Sequence, residues 1–351
     1  MWRGWLTVAR ALPRTLTAAV VAILAAGCAA DTTEQTSRAD GEGVTIQNCG
    51  IEVTVDQPPE RVYAAYQPAT EIAHALGISD RLVGTAFLDS QVLPEYAEAQ
   101  QGVPYAAQLP SRDGLLAAQP DFVLSGYNNF FSEGSGDTSV GTRASLAELG
   151  IQSWILSPLC PSADGLSDEA IDPASVRVDT IYQDLRDLGK IFDAEDRADT
   201  AIAEQQERIA AVEQTVAGAE RPSVAIMLID EDGGYRVAGG IDFGTQILEH
   251  AGGVNAFADL QQRRHVDVDI EELIRRDPDV ILTSVCCDIS YTRESGAQEA
   301  ATLAANPALA GVAAVKNGQV HPYLFSDRAA GIRAAHAVEV VASILHPDLV
   351  N

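Results

Sequence analysis

Two adjacent guanidinium groups, Arg263 and Arg264, followed by His265, stand out in a chain that carries 23 basic and 50 acidic residues. Guanidinium presents forked donors and keeps its charge, so it suits carboxylate, catecholate or phosphate oxygens. The same pair would serve equally as a solvated offset to the acidic surface. Catalytic patterns are absent from the sequence. Asp137-Thr138-Ser139-Val140-Gly141 lacks the first glycine of a nucleophile elbow, and neither H-E-x-x-H nor a G-K-[ST] phosphate loop occurs. The histidines do not converge: His74, His250 and His336 fall in helical stretches, His321 in a strand and His346 past a helix end, leaving only His265 in a candidate binding loop. Cys286-Cys287-Asp288 has no C-x-x-C partner. These patterns predict a binding protein with no catalytic residue, no metal site and no resident cofactor.

Arg3, Arg10 and Arg14 precede an uncharged stretch from Thr15 to Gly27, too short to span a bilayer as a stable helix. It closes on Leu24-Ala25-Ala26-Gly27-Cys28 and turns polar from Asp31. That segment resembles a bacterial lipobox, which predicts a lipoprotein signal over residues 1–27, lipid on Cys28, and a flexible polar tether over residues 28–43. Ala25 stands where leucine is usual, and an ordinary signal cleaved near Ala30 would discard Cys28. No later apolar run is long enough to cross a membrane, so attachment to the outer face of the cytoplasmic membrane would rest on the lipid. The formal net charge is −27, and it becomes more negative once the three signal arginines leave. Such a surface repels nucleic acid and anionic lipid. The rival to a binding role in this compartment is an extracytoplasmic hydrolase.

Binding groups need elements to position them. Val62–Tyr66, Leu82–Phe87, Phe122–Ser125 and Ile151–Leu156 read as strands alternating with helices, and Val224–Ile229, Tyr235–Ala238, Val280–Thr283 and Val320–Phe325 repeat the plan. The alternation predicts an α/β fold of βα units around mostly parallel sheets. LLAAQPDFVLSG from Leu115 and LIRRDPDVILTS from Leu273 each end a helix, turn at Pro-Asp and enter a buried strand. Their matching apolar positions predict two related lobes, over residues 44–193 and 219–351. Ile202, Gln205, Ile209, Val212 and Val216 recur at helical spacing between them, with Asp193 placed as N-cap. A linking helix over residues 194–218, about 30 Å long, would resist hinge bending. With Cys28 lipidated, four cysteines allow three pairings. Adjacent cysteines bridge poorly, which favours Cys49–Cys160 and leaves Cys286 and Cys287 as a vicinal pair or free thiols.

The run PPERVYAAYQPATEIAHALGISDRLVG from Pro58, the two Pro-Asp segments and the long central helix resemble the helical-backbone class of ABC-importer substrate-binding proteins. That class serves vitamin B12, ferric siderophores and haem, and the resemblance runs from about Val44 to the C-terminus. It implies two Rossmann-like lobes joined by one rigid helix, a ligand held in the cleft between them, a permease partner and a monomeric protein. Cleft positions richer in arginine than tryptophan resemble the ferric-siderophore branch. Cobalamin, haem or an anionic cofactor precursor are the alternatives.

Ligands of open α/β sheets bind beyond the carboxyl ends of the strands. Those ends are Tyr66 and Gln67, Phe87, Tyr127–Phe130, Arg236, Cys286–Cys287 and Phe325–Arg328, and the loop from Gln261 to His265 corresponds to a cleft-lining segment of the family. The expected ligand-binding residues are Tyr66, Phe87, Tyr127, Asn128, Arg236, Arg263, Arg264, His265, Phe325 and Arg333. Tyr127 and Phe325 would serve equally as core aromatics. The resemblance also places one permease-docking carboxylate on each lobe, at Asp113 and Glu271, two residues before the matching Leu115 and Leu273. Acids at those helix starts would also be stabilised by the helix dipole alone.

Overall fold

The computed structural model describes residues 43–132, 139–161, 171–229 and 233–350. The expected signal, Cys28 and nearly all of the tether lie outside them. The chain enters through an antiparallel hairpin, β1 (Val44–Asn48) and β2 (Ile51–Val55). It then builds a sheet from β3 (Val62–Ala65), β4 (Leu82–Ala86), β5 (Tyr105–Ala106), β6 (Phe122–Ser125) and β7 (Gln152–Ile155). The order is β5-β4-β3-β6-β7, with every pair parallel. Both faces are covered, so β3 and β6 are buried at every position and read as continuous apolar runs. The helices between these strands are α1 (Gln67–Ala75), α2 (Ala97–Gln101), α3 (Arg112–Ala117) and α4 (Arg143–Ala147). Register aligns Ala65 with Ala86 and with Ser125, which brings Tyr66, Phe87 and Gly126 to one edge of the sheet.

Two helices follow. The sequence reading did not anticipate α5 (Val178–Phe192), although Ile181, Leu185, Leu188 and Ile191 form its buried stripe at helical spacing. Asp193, expected to start the next helix, instead closes α5 in the left-handed conformation at φ 57°, and Ala194 precedes α6 (Glu195–Thr215). An αL residue ends a helix by turning the chain out of its path, and aspartate tolerates that conformation better than most residues. α6 buries Ile202, Gln205, Ile209 and Val212, the stripe read from the sequence.

The second sheet contains β8 (Ser223–Ile229), β9 (Tyr235–Ala238), β10 (Val254–Asn255), β11 (His265–Val268), β12 (Val280–Val285) and β13 (Val320–Leu324). β8, β12 and β13 are parallel, but β9 runs antiparallel to β8 and β11 antiparallel to β9. Only five residues separate β8 from β9, too few for a parallel crossover. Its helices are α7 (Phe243–His250), α8 (Ile270–Arg276), α9 (Ala297–Ala304), α10 (Ala313–Lys316) and α11 (Ala334–Leu345). One apolar core runs through the first sheet, α5, α6, α7 and α11 into the second sheet. A smaller core with Met227, Phe257, Leu273, Ile281 and Leu309 fills the other face of the second sheet. α6 is fastened to α11 by Arg208 on Glu339 at 2.6 Å and by Gln205 Oε1, which accepts from the Ala335 amide at 2.9 Å.

Cys49 and Cys160 are bridged, with Cα atoms 5.2 Å apart, tying the entry hairpin to the segment after β7. Cys286 and Cys287 form a vicinal disulfide directly after β12. Among the described residues, no helix is long and apolar enough to cross a membrane.

Candidate functional site

The carboxyl ends of β3, β4, β6, β12 and β13 meet along a seam between the two lobes. On the first lobe the seam is aromatic. The Tyr66 ring packs edge-on against Tyr127 at 4.6 Å, Phe87 at 5.5 Å and Phe130 at 6.5 Å, and its hydroxyl donates to Asn129 Oδ1 at 2.9 Å. Tyr66 holds φ 71° and ψ 159°, a region populated almost only by glycine, and Phe87 also has positive φ at 55°. Strain at two bulky residues is maintained only where surrounding packing dictates it, and such strain gathers at binding sites. Gly126 makes the packing possible, because a Cβ there would lie 3.2 Å from Tyr66 Cβ.

The second lobe contributes cations. Arg264 is 5% exposed and its guanidinium sits 4.7 Å from the Tyr127 ring centroid, a cation–π contact across the seam. Arg328 is 2% exposed and lies 5.1 Å from the Phe325 ring centroid. Its Nη2 donates to Asp242 Oδ2 at 2.7 Å, while Nε and Nη1 have no acceptor among the described residues. Asp242 uses its other oxygen to cap α7 through the Gly244 amide at 2.8 Å, and His265 Nε2 lies 3.6 Å from Oδ2. Burial would raise the Asp242 carboxyl, but Arg328, His265 and Arg264 hold it below the ordinary range. A buried donor left without an acceptor costs about 1–3 kcal/mol, so two on one guanidinium call for an oxygen-rich, negatively charged partner.

A third arginine closes the seam. Arg333 donates to Glu71 through Nε and Nη2 at 2.8–3.0 Å, to Asp327 through Nη1 at 2.8 Å, and to the Gln91 carbonyl. Burial would lower its pKa, and the two carboxylates instead hold it above the usual value. Ser90 and Ser326 share a hydrogen bond at 2.7 Å, and Cys287 N–H donates to the Asp89 carbonyl at 3.2 Å. Between α1 and the segment from Ser326 to Arg333 no room remains for water. Asp89 is wholly buried, and burial pushes its carboxyl up to about 7 against the pull of Arg333 and Arg264, with Glu71 adding to the rise.

The sequence profile of the family described as "Periplasmic binding protein" matches residues 62–323, which include both sheets and the helices between them. This chain belongs to the periplasmic binding protein family. A periplasmic binding protein from Veillonella parvula is similar to it at TM-score 0.73 and 22% identity, over 88% of this chain and 99% of that one. An ABC-type Fe3+-hydroxamate transport system protein from Saccharomonospora viridis is similar at TM-score 0.68 and 26% identity, over 86% and 99%. An uncharacterised ABC transporter substrate-binding lipoprotein of Bacillus subtilis, YvrC, is 23% identical over 274 residues, 76% of this chain and 78% of that protein.

Within this periplasmic binding protein, Tyr66, Phe87, Tyr127, Arg264, His265 and Phe325 come together at the seam. Arg263 does not join them: it is exposed in the irregular segment before β11, where Arg264 alone turns inward. Arg236 pairs with Asp267 at 2.9 Å across β9 and β11, where Asp267 is exposed and Arg236 half-buried. Asn128 lines a separate groove of about 230 Å³ beside Cys49 and Phe131. Arg333 lies in the seam with its donors held by Glu71, Asp327 and Gln91. Arg328 and Asp242 were missed. The strand-end rule covered the segment from Phe325 to Arg328, and Asp242 carried a cap signal before Phe243-Gly244, but neither signal tells which groups meet.

Proposed function

We propose that this protein captures an anionic metal chelate, most simply a ferric siderophore, between its lobes and delivers it to an ABC importer from the outer face of the cytoplasmic membrane. The observation that carries the reading is Arg328, buried against the Phe325 ring with two donors that have no acceptor among the described residues. Ferric hydroxamates and catecholates present such acceptor oxygens around a compact, partly apolar body. The printed description of the Saccharomonospora viridis protein names Fe3+-hydroxamate transport, and that of YvrC names an ABC substrate-binding lipoprotein. The lipobox-like segment ending at Cys28 supports the same location. Quenching of intrinsic fluorescence by a ferric catecholate, which is anionic, set beside a charge-neutral ferric tris-hydroxamate, tests the reading. Saturable binding with recovery of the intact chelate supports a carrier. Breakdown of the chelate supports a hydrolase, and saturable binding of haem alone would replace the siderophore as ligand.

Asp113 and Glu271 fit permease docking. Both are exposed in the first turn of helices whose caps match, Ser111 Oγ accepting from Gly114 and Asp269 Oδ1 from Glu272. Asp113→Ala with Glu271→Ala is expected to leave chelate affinity unchanged and abolish uptake, since interfacial charges act on association. Normal uptake by the double variant would return both to helix-dipole acids.

A further inference from the structure

The vicinal pair that follows β12 faces the buried Asp89. Cys286 Sγ, Cys287 Sγ and an Asp89 carboxylate oxygen all lie within 4.8 Å of one another. Asp89 is fixed from both sides: its amide donates to Gln67 Oε1 at 3.1 Å and its carbonyl accepts from the Cys287 amide at 3.2 Å. Its Oδ2 is buried without a hydrogen-bond partner among the described residues, although the side chain is only 2% exposed. Nothing in chelate capture by Arg264 and Arg328 uses this carboxylate or either sulfur.

We infer that, once the Cys286–Cys287 bridge is reduced, these three groups form a binding site for a single thiophilic divalent cation such as Zn2+ or Cd2+. Two thiolates and one carboxylate are a suitable donor set for such an ion and leave a fourth position open. With metal–sulfur bonds of about 2.3 Å and metal–oxygen bonds of about 2.1 Å, tetrahedral ligand atoms stand about 3.6–3.8 Å apart. The present spacing is thus within reach of a side-chain shift. Breaking the S–S bond supplies the separation that the sulfurs need. The reductant is a dithiol. Its thiolate attacks one sulfur, a mixed disulfide forms, and its second thiol completes the exchange. The dithiol leaves as a disulfide, two electrons pass to the protein, and Cys286 and Cys287 become thiols. Metal binding then releases their two protons. Cys287 is exposed, which gives the dithiol access. The donors come from both lobes, Asp89 after β4 and the cysteines after β12, so the ion would bridge the seam.

The test uses the full chain carrying Cys28→Ser, treated with a small dithiol, desalted without oxygen and titrated with Cd2+. Thiolate-to-metal charge-transfer absorption and a competing chelator provide the readouts. Peptide mapping after alkylation confirms which bridge has opened. One equivalent of Cd2+ is expected in the reduced chain and none in the oxidised chain. Cys286→Ser with Cys287→Ser, carried through the same treatment, should lose the signal, and Asp89→Asn should weaken binding by at least about tenfold. Three results overturn the site: a vicinal bridge that resists the dithiol, equal binding by the double-serine variant, or undiminished affinity in Asp89→Asn.

Discussion

Arg333 and Arg328 are both buried in the same seam, yet they are built for different ends. Arg333 has two carboxylates and a carbonyl on its donors, and Glu71, 262 positions away in sequence, ties it to the opposite lobe. Arg328 has one carboxylate on one nitrogen, shared with the α7 cap, and two nitrogens without an acceptor among the described residues. A guanidinium whose donors are all engaged holds the lobes together. On the proposed reading, one that is partly engaged offers the remainder to an incoming anion. Burial alone does not distinguish the two, and the count of acceptors does.

The largest expected effect breaks that comparison directly. Arg333→Met strands Glu71 and Asp327 in the interior, and removing one partner of a buried ion pair costs about 3–5 kcal/mol. Arg328→Met removes a guanidinium that was itself incompletely paired and leaves Asp242 with Arg264 and His265 nearby, so its cost should stay below about 2 kcal/mol. Chelate affinity should respond in the reverse order, with Arg328→Met losing about tenfold or more, as expected for charge-assisted hydrogen bonds of about 1.5–3 kcal/mol. Urea unfolding midpoints and chelate titrations on both variants check this. Equal stability losses would show that the seam does not separate the two roles.

The same contrast holds for buried acids. Asp242 sits among cations and titrates below its ordinary range. Asp184 accepts from Ser157 N–H at 2.7 Å, Ser157 Oγ at 2.5 Å and Trp154 Nε1 at 3.1 Å. Burial nevertheless pushes it from 3.8 up to about 7. Between those values the folded state binds more protons through Asp184 than the unfolded chain, so its contribution to stability falls as pH rises through that window. The fall is as much as about 1.4 kcal/mol per pH unit. Asp184→Asn should flatten that part of the stability profile. Asp242 works in the opposite sense: its contribution is present above the unfolded carboxylate value and is lost as pH falls through its lowered folded value. Unfolding curves between pH 3 and 8 for Asp184→Asn and Asp242→Asn are expected to differ from the parent with opposite slopes.

The order of βα units was legible because buried parallel strands such as Val62–Ala65 and Phe122–Ser125 are apolar throughout and end at recognisable turns. The antiparallel β9 and β11 were less so, since alternation does not reveal strand direction. α5 went unread although its stripe was present, and Asp193 was assigned to the wrong helix because one aspartate suits both an N-cap and an αL turn. At the site, residue types at strand ends were informative. Partner identity was not, because it depends on contacts such as Arg333 with Glu71 and Cys287 with Asp89 that join distant parts of the chain.

The smallest expected effect sharpens the comparison to adjacent residues. Arg263 and Arg264 look equivalent in sequence, and both carry the forked donor set that suits an anionic chelate. The fold separates them: Arg264 is 5% exposed over the Tyr127 ring, and Arg263 is exposed. An exposed charge acts on a seam ligand only through solvent and is screened over about 8–10 Å at ordinary ionic strength. Arg263→Ala should therefore change chelate affinity by less than about twofold, a difference that disappears with added salt. Arg264→Ala should cost about tenfold or more, because it loses a short-range donor and the aromatic contact together. The loss should persist at high salt, since a buried group is poorly screened. Titration of both variants at low and high salt checks this. A larger, salt-resistant loss at Arg263 would mean that the loop turns over when the lobes part, and that the exposed guanidinium is the one that meets the ligand.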